Sequence, residues 1–251
     1  MTSVHILTTI VGLTLSSHLA GAGTVEFVSD GCIAVVTARG VTADPGLSWL
    51  MDSWTRTPPE VPIRKVMASS RPDEISLALF PSDQGPKVLL VLEVGAYGKK
   101  LEEELAELVP GSLEASRYKE NEIAFSTGKV SQGPFSSYAL CRETLLVGTD
   151  VGILEGAIDA KEGRSVDDLA GYSEMKEDLP SDGDIVFFAD NRDLRFAGLL
   201  KTLERKWRMS LLLSADHLEW VGACLDVVDS DRVAGSVVFK SSDETYVEDV
   251  R

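Results

Sequence analysis

The chain is poor in the residues from which catalytic centres are most often assembled. Its 251 residues include three cysteines and three histidines. Cys32, Cys141 and Cys224 lie far apart with no Cys-x-x-Cys pair, and no His-Glu-x-x-His occurs, so a zinc site lacks its usual ligands. Neither a Gly-x-Ser-x-Gly elbow nor a glycine-rich phosphate loop of the Gly-x-x-x-x-Gly-Lys-Ser/Thr or Gly-x-Gly-x-x-Gly type is present. Positive charge is scarce too. With 24 Lys+Arg against 40 Asp+Glu the formal net charge is −16, a field that repels nucleic-acid backbones and anionic headgroups. Nucleic acid is therefore not an expected partner, and no cofactor, metal or catalytic residue is assigned.

What the chain does contain is a globular composition, 44% hydrophobic and 25% charged, which excludes disorder and a small disulfide-stapled scaffold. No Asp, Glu, Lys or Arg occurs before Glu26. Within that stretch the apolar run 6–15 has the size of a signal-peptide core and is too short to span a bilayer. Ala20-Gly21-Ala22 supplies small residues for cleavage before Gly23. The pattern predicts an exported protein, periplasmic or secreted, with residues 1–22 as the leader and 23–251 as the working module. A basic segment ahead of the run is missing, and the competing reading makes residues 6–15 a buried element. No lipid-attachment motif precedes Cys32, so membrane contact is expected through the N-terminal segment alone. The cysteines read as small buried hydrophobes. In an oxidising compartment one pair can bridge, but spacing does not say which.

Periodicity then gives the elements. Strands are expected at 32–39, 74–80, 87–94, 122–125, 137–141, 144–147 and 184–189, with a long hairpin at 218–228 and 233–240. Helices are expected after the Asp44-Pro45-Gly46 break, at 99–109 and 151–160, and at 166–179, where Ser165 and Asp168 form a capping pair. Residues 57–62 read as a rigid connector. A further helix runs from Asp190-Asn191 to about Met209, with Phe196, Leu199, Leu200, Leu203 and Trp207 as a buried stripe. Antiparallel neighbours and one-sided helices predict a layered α+β fold. Residues 32–94 and 184–240 share the order strand, helix, two antiparallel strands, which suggests two related units.

Leu145-Leu146-Val147-Gly148-Thr149-Asp150, then Lys161 to Asp168, then Asp182 to Asp190 ending a strand on aspartate, resemble the exported bacterial family called domain of unknown function 3352. The resemblance is best over 140–195, and elsewhere it holds in element order only. It implies an extracytoplasmic α+β module with no assigned activity and brings no catalytic residues. Members of that family run longer, so the resemblance reads this chain as a shortened form.

His217 is the sole histidine of the expected mature chain. Without a nucleophile motif, and beside Asp216 and Glu219, it reads as a solvated strand-end residue rather than a general base. The many carboxylates read as helix faces and turns, and a converging pair needs its partners to meet only in space. Around 226–232 the regular oxygen ligands and bidentate glutamate of a calcium loop are lacking. One charge anomaly stands out. Arg192, Arg195, Lys201, Arg205 and Arg208 fall in one helical stretch and form a candidate surface for an acidic partner, against the commoner alternative of a solvated face paired with the protein's own acids. The leading functional expectation is a non-enzymatic exported module that binds a protein or envelope component. A hydrolase using converging carboxylates or His217, and a carrier enclosing an apolar ligand, are the alternatives.

Overall fold

The structure, a computed structural model, describes residues 23–40, 66, 70, 72–83, 85–94, 101, 103–105, 113–126, 135–180, 183–192, 196–198, 217–229 and 232–242. The expected leader 1–22, the helix after residue 46 and the connector 57–62 lie outside these residues. The strands are β1 Ala34–Arg39, β2 Glu74–Phe80, β3 Lys87–Glu93, β4 Leu113–Tyr118, β5 Asn121–Ser126, β6 Ser137–Cys141, β7 Thr144–Gly148, β8 Ile185–Asp190, β9 Leu218–Asp229 and β10 Arg232–Ser241. Among the described residues two helices are continuous, α1 Val151–Glu162 and α2 Ala170–Asp178. Among the described residues the strands form one ten-stranded sheet in the order β10-β9-β8-β1-β2-β3-β7-β6-β5-β4. Every pairing is antiparallel. This is the layered α+β architecture that the periodicity predicts.

Both faces of the sheet carry core, because successive side chains point to opposite sides and the inner strands are apolar at most steps. Val35, Leu89, Leu146 and Phe188 meet α1 and α2 residues such as Leu154, Ile158, Tyr172 and Met175. Their neighbours Val36, Leu90, Leu145 and Phe187 point the other way and pack with the helical residues Val66, Leu101, Leu105 and Phe196. Phe196 thus occupies the buried place expected of it, its ring 6.2 Å from that of Phe187. The rest of its stripe, Leu199, Leu200, Leu203 and Trp207, lies outside the described residues. Removing one such side chain from water contributes about 1.5–3 kcal/mol.

One expectation is corrected and one strand is added. The run 166–179 is not one helix: the capping box of Ser165 and Asp168 closes a three-residue 3-10 turn, Val166–Asp168, and Leu169 is extended before α2 begins. Leu169 is buried in the helix-side core, so packing of that side chain interrupts the helical path. The strand β4 was not anticipated, because Leu113–Tyr118 is mostly exposed and shows no apolar alternation. It is held instead by its pairing with β5 through a tight turn at Lys119, whose φ of 53° lies in the left-handed region.

That turn is clamped to α1. The Tyr118 hydroxyl donates to Asp159 Oδ2 at 2.8 Å, and Lys119 Nζ reaches Asp159 Oδ1 at 2.7 Å and Glu162 Oε2 at 2.6 Å. Lys119 first, then the Tyr118 hydroxyl, hold the Asp159 carboxyl below its ordinary value, and Asp159 with Glu162 hold the ammonium above its own. The aspartate's contribution is therefore complete above its unfolded value of about 3.9 and lost as pH falls through the lower folded value. The lysine's is complete below its unfolded value of about 10.4 and lost as pH rises through the higher folded one. Hydrogen exchange at about pH 3 and about pH 6, corrected for intrinsic rates, is expected to show β4–β5 amides losing protection in acid before those of β1 and β8. Equal protection of the hairpin at both values would contradict the clamp.

Candidate interaction edge

The sheet ends in two terminal strands that are guarded very differently. On one side β4 carries Glu114 and Arg117 along its length and is pinned to α1 by the Lys119 clamp. On the other side β10 bears charge only at its two ends, Arg232 and Lys240, and contains no proline. Charged or proline residues along an edge are the usual means of discouraging further strand pairing.

One end of β10 is anchored. Lys240 Nζ donates to both Glu174 oxygens, at 3.0 and 2.9 Å, and lies 3.8 Å from Glu219 Oε2. The Trp220 indole donates to the same Glu174 at 3.1 Å, so a single α2 carboxylate ties both strands of the hairpin. Lys240, then Trp220, hold the Glu174 carboxyl below its ordinary value. Nearer the middle Gly235 lies so close to β9 that any side chain would collide with the Cys224 carbonyl oxygen and with Leu225. Toward the turn the hairpin opens to solvent: Val228 is 55% exposed, Val233 48% and Val237 54%. Val233 pairs with Val227 and Val237 with Ala223, so these two valines share the face opposite α2. Sequence patterning identified the hairpin but not this exposure, since an apolar edge strand and an apolar interior strand read alike.

No family model matches the chain, and no curated protein matches it. Among solved structures, one crystal form of TP0453 superposes with a TM-score of 0.55 at 9% identity, covering 92% of this chain and 86% of the other. A second form gives 0.52 at 8% identity, covering 92% and 84%. The fold is similar to that of TP0453. At this identity the likeness to TP0453 concerns the path of the backbone and carries no side-chain chemistry across.

The cationic surface expected at Arg192, Arg195, Lys201, Arg205 and Arg208 is described at Arg192 alone. There the backbone amide donates to Asp190 Oδ1 at 3.0 Å, the guanidinium pairs with Asp190 Oδ2, and a second nitrogen donates to the Asp30 carbonyl at 3.1 Å. Arg192 is thus turned back on the protein's own acid. The other four lie outside the described residues. His217 is exposed just before β9, and its carbonyl accepts from the Ser242 amide at 3.0 Å and the Ser241 hydroxyl at 3.0 Å. All three cysteines are buried and unbridged. Burial first, then Asp190, pushes the Cys32 thiol up to about 12, and burial pushes Cys141 up to about 11. Both remain protonated near neutrality and are poor nucleophiles. Among the described residues no three His, Cys, Asp or Glu side chains gather as metal ligands.

Proposed function

We propose that the protein is an exported, non-enzymatic α+β module that binds a protein or envelope component by accepting an extended strand along β10. The observation that carries this reading is the pair of half-exposed valines, Val233 and Val237, on an apolar terminal strand with no charge between its ends. Topology supports it. From the β1–β8 pair the sheet order runs outward as β1-β2-β3 on one side and β8-β9-β10 on the other. Such an arrangement suits two related units, 32–94 and 184–240, meeting about a two-fold axis normal to the sheet. Placing Val36 on its partner Phe187 brings Leu77 onto Ala223 and Leu90 onto Val237 through the observed registers. Leu90 is buried and pairs with Val147 of β7. The partner segment proposed for β10 takes the place that β7 takes on β3, with an apolar residue opposite Val237. The family resemblance over 140–195 and the leader-like start of the chain point to an extracytoplasmic setting.

A photo-crosslinking amino acid placed at 233 or 237, in the full chain in the cell that makes it, is expected to give a discrete adduct. The same probe at Glu177, on the solvent side of α2, is expected to give none. Combining the probe at 237 with Val233→Lys should weaken the adduct, with a stability change within about 0.5 kcal/mol because the position is superficial. Adducts of equal yield at 177 and 237, or none at 233 and 237, would overturn the reading.

A further inference from the structure

The first residues of the expected mature chain sit on a carboxylate. The Thr24 amide donates to Glu74 Oε1 at 2.6 Å and the Thr24 hydroxyl to the same oxygen at 2.7 Å. Thr24 Oγ1, Ser76 Oγ and Thr37 Oγ1 then form a buried chain of hydroxyls, each link 2.7 Å. The Glu74 side chain is only 17% exposed, and its second oxygen lies 3.6 Å from Arg39 Nε. Gly23 is pressed against this group: a Cβ there would stand 2.9 Å from Glu74 Oε1 and 3.6 Å from Oε2, and those oxygens with Glu74 Cδ are its nearest neighbours. A larger residue there would meet the carboxylate end of Glu74 and oblige that side chain to shift.

We propose that Glu74 is the seat of the mature N-terminus. It rests on the export reading. When an endopeptidase of the export route cuts between Ala22 and Gly23, water adds hydroxyl to the Ala22 carbonyl carbon and the C–N bond breaks. The Gly23 nitrogen leaves as an amine and takes up a proton, with no change of oxidation state. The α-ammonium so created lies beside a carboxylate already oriented by the Thr24 donors, and cleavage converts a neutral amide into the cation of an ion pair. A chain with the leader attached offers no such charge, so the seat distinguishes the processed form from its precursor. Backbone recognition of a chain-terminal amine by a fixed acceptor is a known binding mode, here turned inward on the protein's own end.

The test uses the full chain expressed with its leader and recovered from the exporting cell. Intact mass is expected to show loss of residues 1–22, and N-terminal sequencing to begin at Gly23. Acylation of that α-amine is then followed against pH by peptide mass, in the native state and in denaturant. A neighbouring carboxylate favours the ammonium, so the native amine is expected to react about ten-fold more slowly than the denatured one near its ordinary value of about 7.7–8.0. Glu74→Gln should remove the difference, while the native-against-denatured comparison on the unsubstituted chain stands even if that variant fails to fold. A chain beginning at Gly23 whose amine reacts equally in both states overturns the seat and leaves export intact. Recovery of the uncut chain, or of one cut elsewhere, overturns the export reading and the seat with it.

Discussion

Replacing Phe188 by alanine is expected to lower the unfolding free energy by about 3–5 kcal/mol. The ring lies in β8, an interior strand buried along its whole length, and is itself 1% exposed. It meets Tyr172 of α2 edge-on with centroids 5.2 Å apart, and the Trp220 ring of β9 at 6.4 Å. Phe188 therefore joins the sheet to α2 and, through Trp220, to the hairpin anchored on Glu174. Strands on both sides fix its surroundings, so the cavity left by alanine has little room to collapse, and residual cavity volume is what makes such losses large. In urea the midpoint should fall while the slope is retained, since the surface exposed on unfolding barely changes. Phe188→Leu, which keeps most of the buried area, should lose clearly less. A Phe188→Ala chain that unfolds with the unsubstituted one would mean that α2 is not packed on β8.

Asn191→Ala is expected to cost about 2–4 kcal/mol, although it removes only a small polar side chain. Asn191 is buried, and its amide nitrogen donates to the Leu218 carbonyl at 2.7 Å while its amide oxygen accepts from the Ala197 backbone at 2.8 Å. One side chain thus satisfies a group at the start of β9 and another on the helical segment that carries Phe196. Alanine would leave two buried backbone groups without those partners, and each such loss is worth about 1–3 kcal/mol. Asn191→Asp sharpens the test. The carboxylate keeps an acceptor for Ala197 but faces the Leu218 carbonyl with no proton, so burial and that carbonyl raise its folded pKa. Its destabilisation should therefore set in as pH rises above the ordinary aspartate value of about 3.9 and ease below it. An Asn191→Asp chain whose stability difference from the parent is independent of pH would rule out the donor role.

Much of the fold was legible in the residues because it rests on local pairing. β2–β3, β6–β7 and β9–β10 are hairpins whose strands show their apolar pattern and whose turns fall on residues suited to them. β4 was not, since its position depends on pairing with β5 and on the reach of Tyr118 and Lys119 to α1, neither of which leaves a periodic trace. The same holds at the sites. Charge density drew attention to Arg192, yet the side chain that turns it inward, Asp190, lies two residues away on a strand that reads as plain core. Thr24 and Glu74 are separated by fifty positions, and only the packing of the 3-10 turn Thr24–Phe27 against β2 brings them together. Exposure at Val233 and Val237 depends on which strand is last in the sheet, a property of order and not of composition.

The β1–β8 seam has a consequence in time. β2 can pair with β1 soon after it is made, and the hairpins through β7 can close in turn, each at a small loop-closure cost. The other edge of β1 must wait for β8, which emerges only after all of them. Until then a strand of sequence Ala-Val-Val-Thr-Ala-Arg presents unpaired backbone and an apolar surface on both faces. Folding should accordingly be slow in its final step and limited by this long-range closure. The interval before it is when the chain is most exposed to aggregation, and under the export proposal above the lateness of β8 would delay folding before the chain is exported.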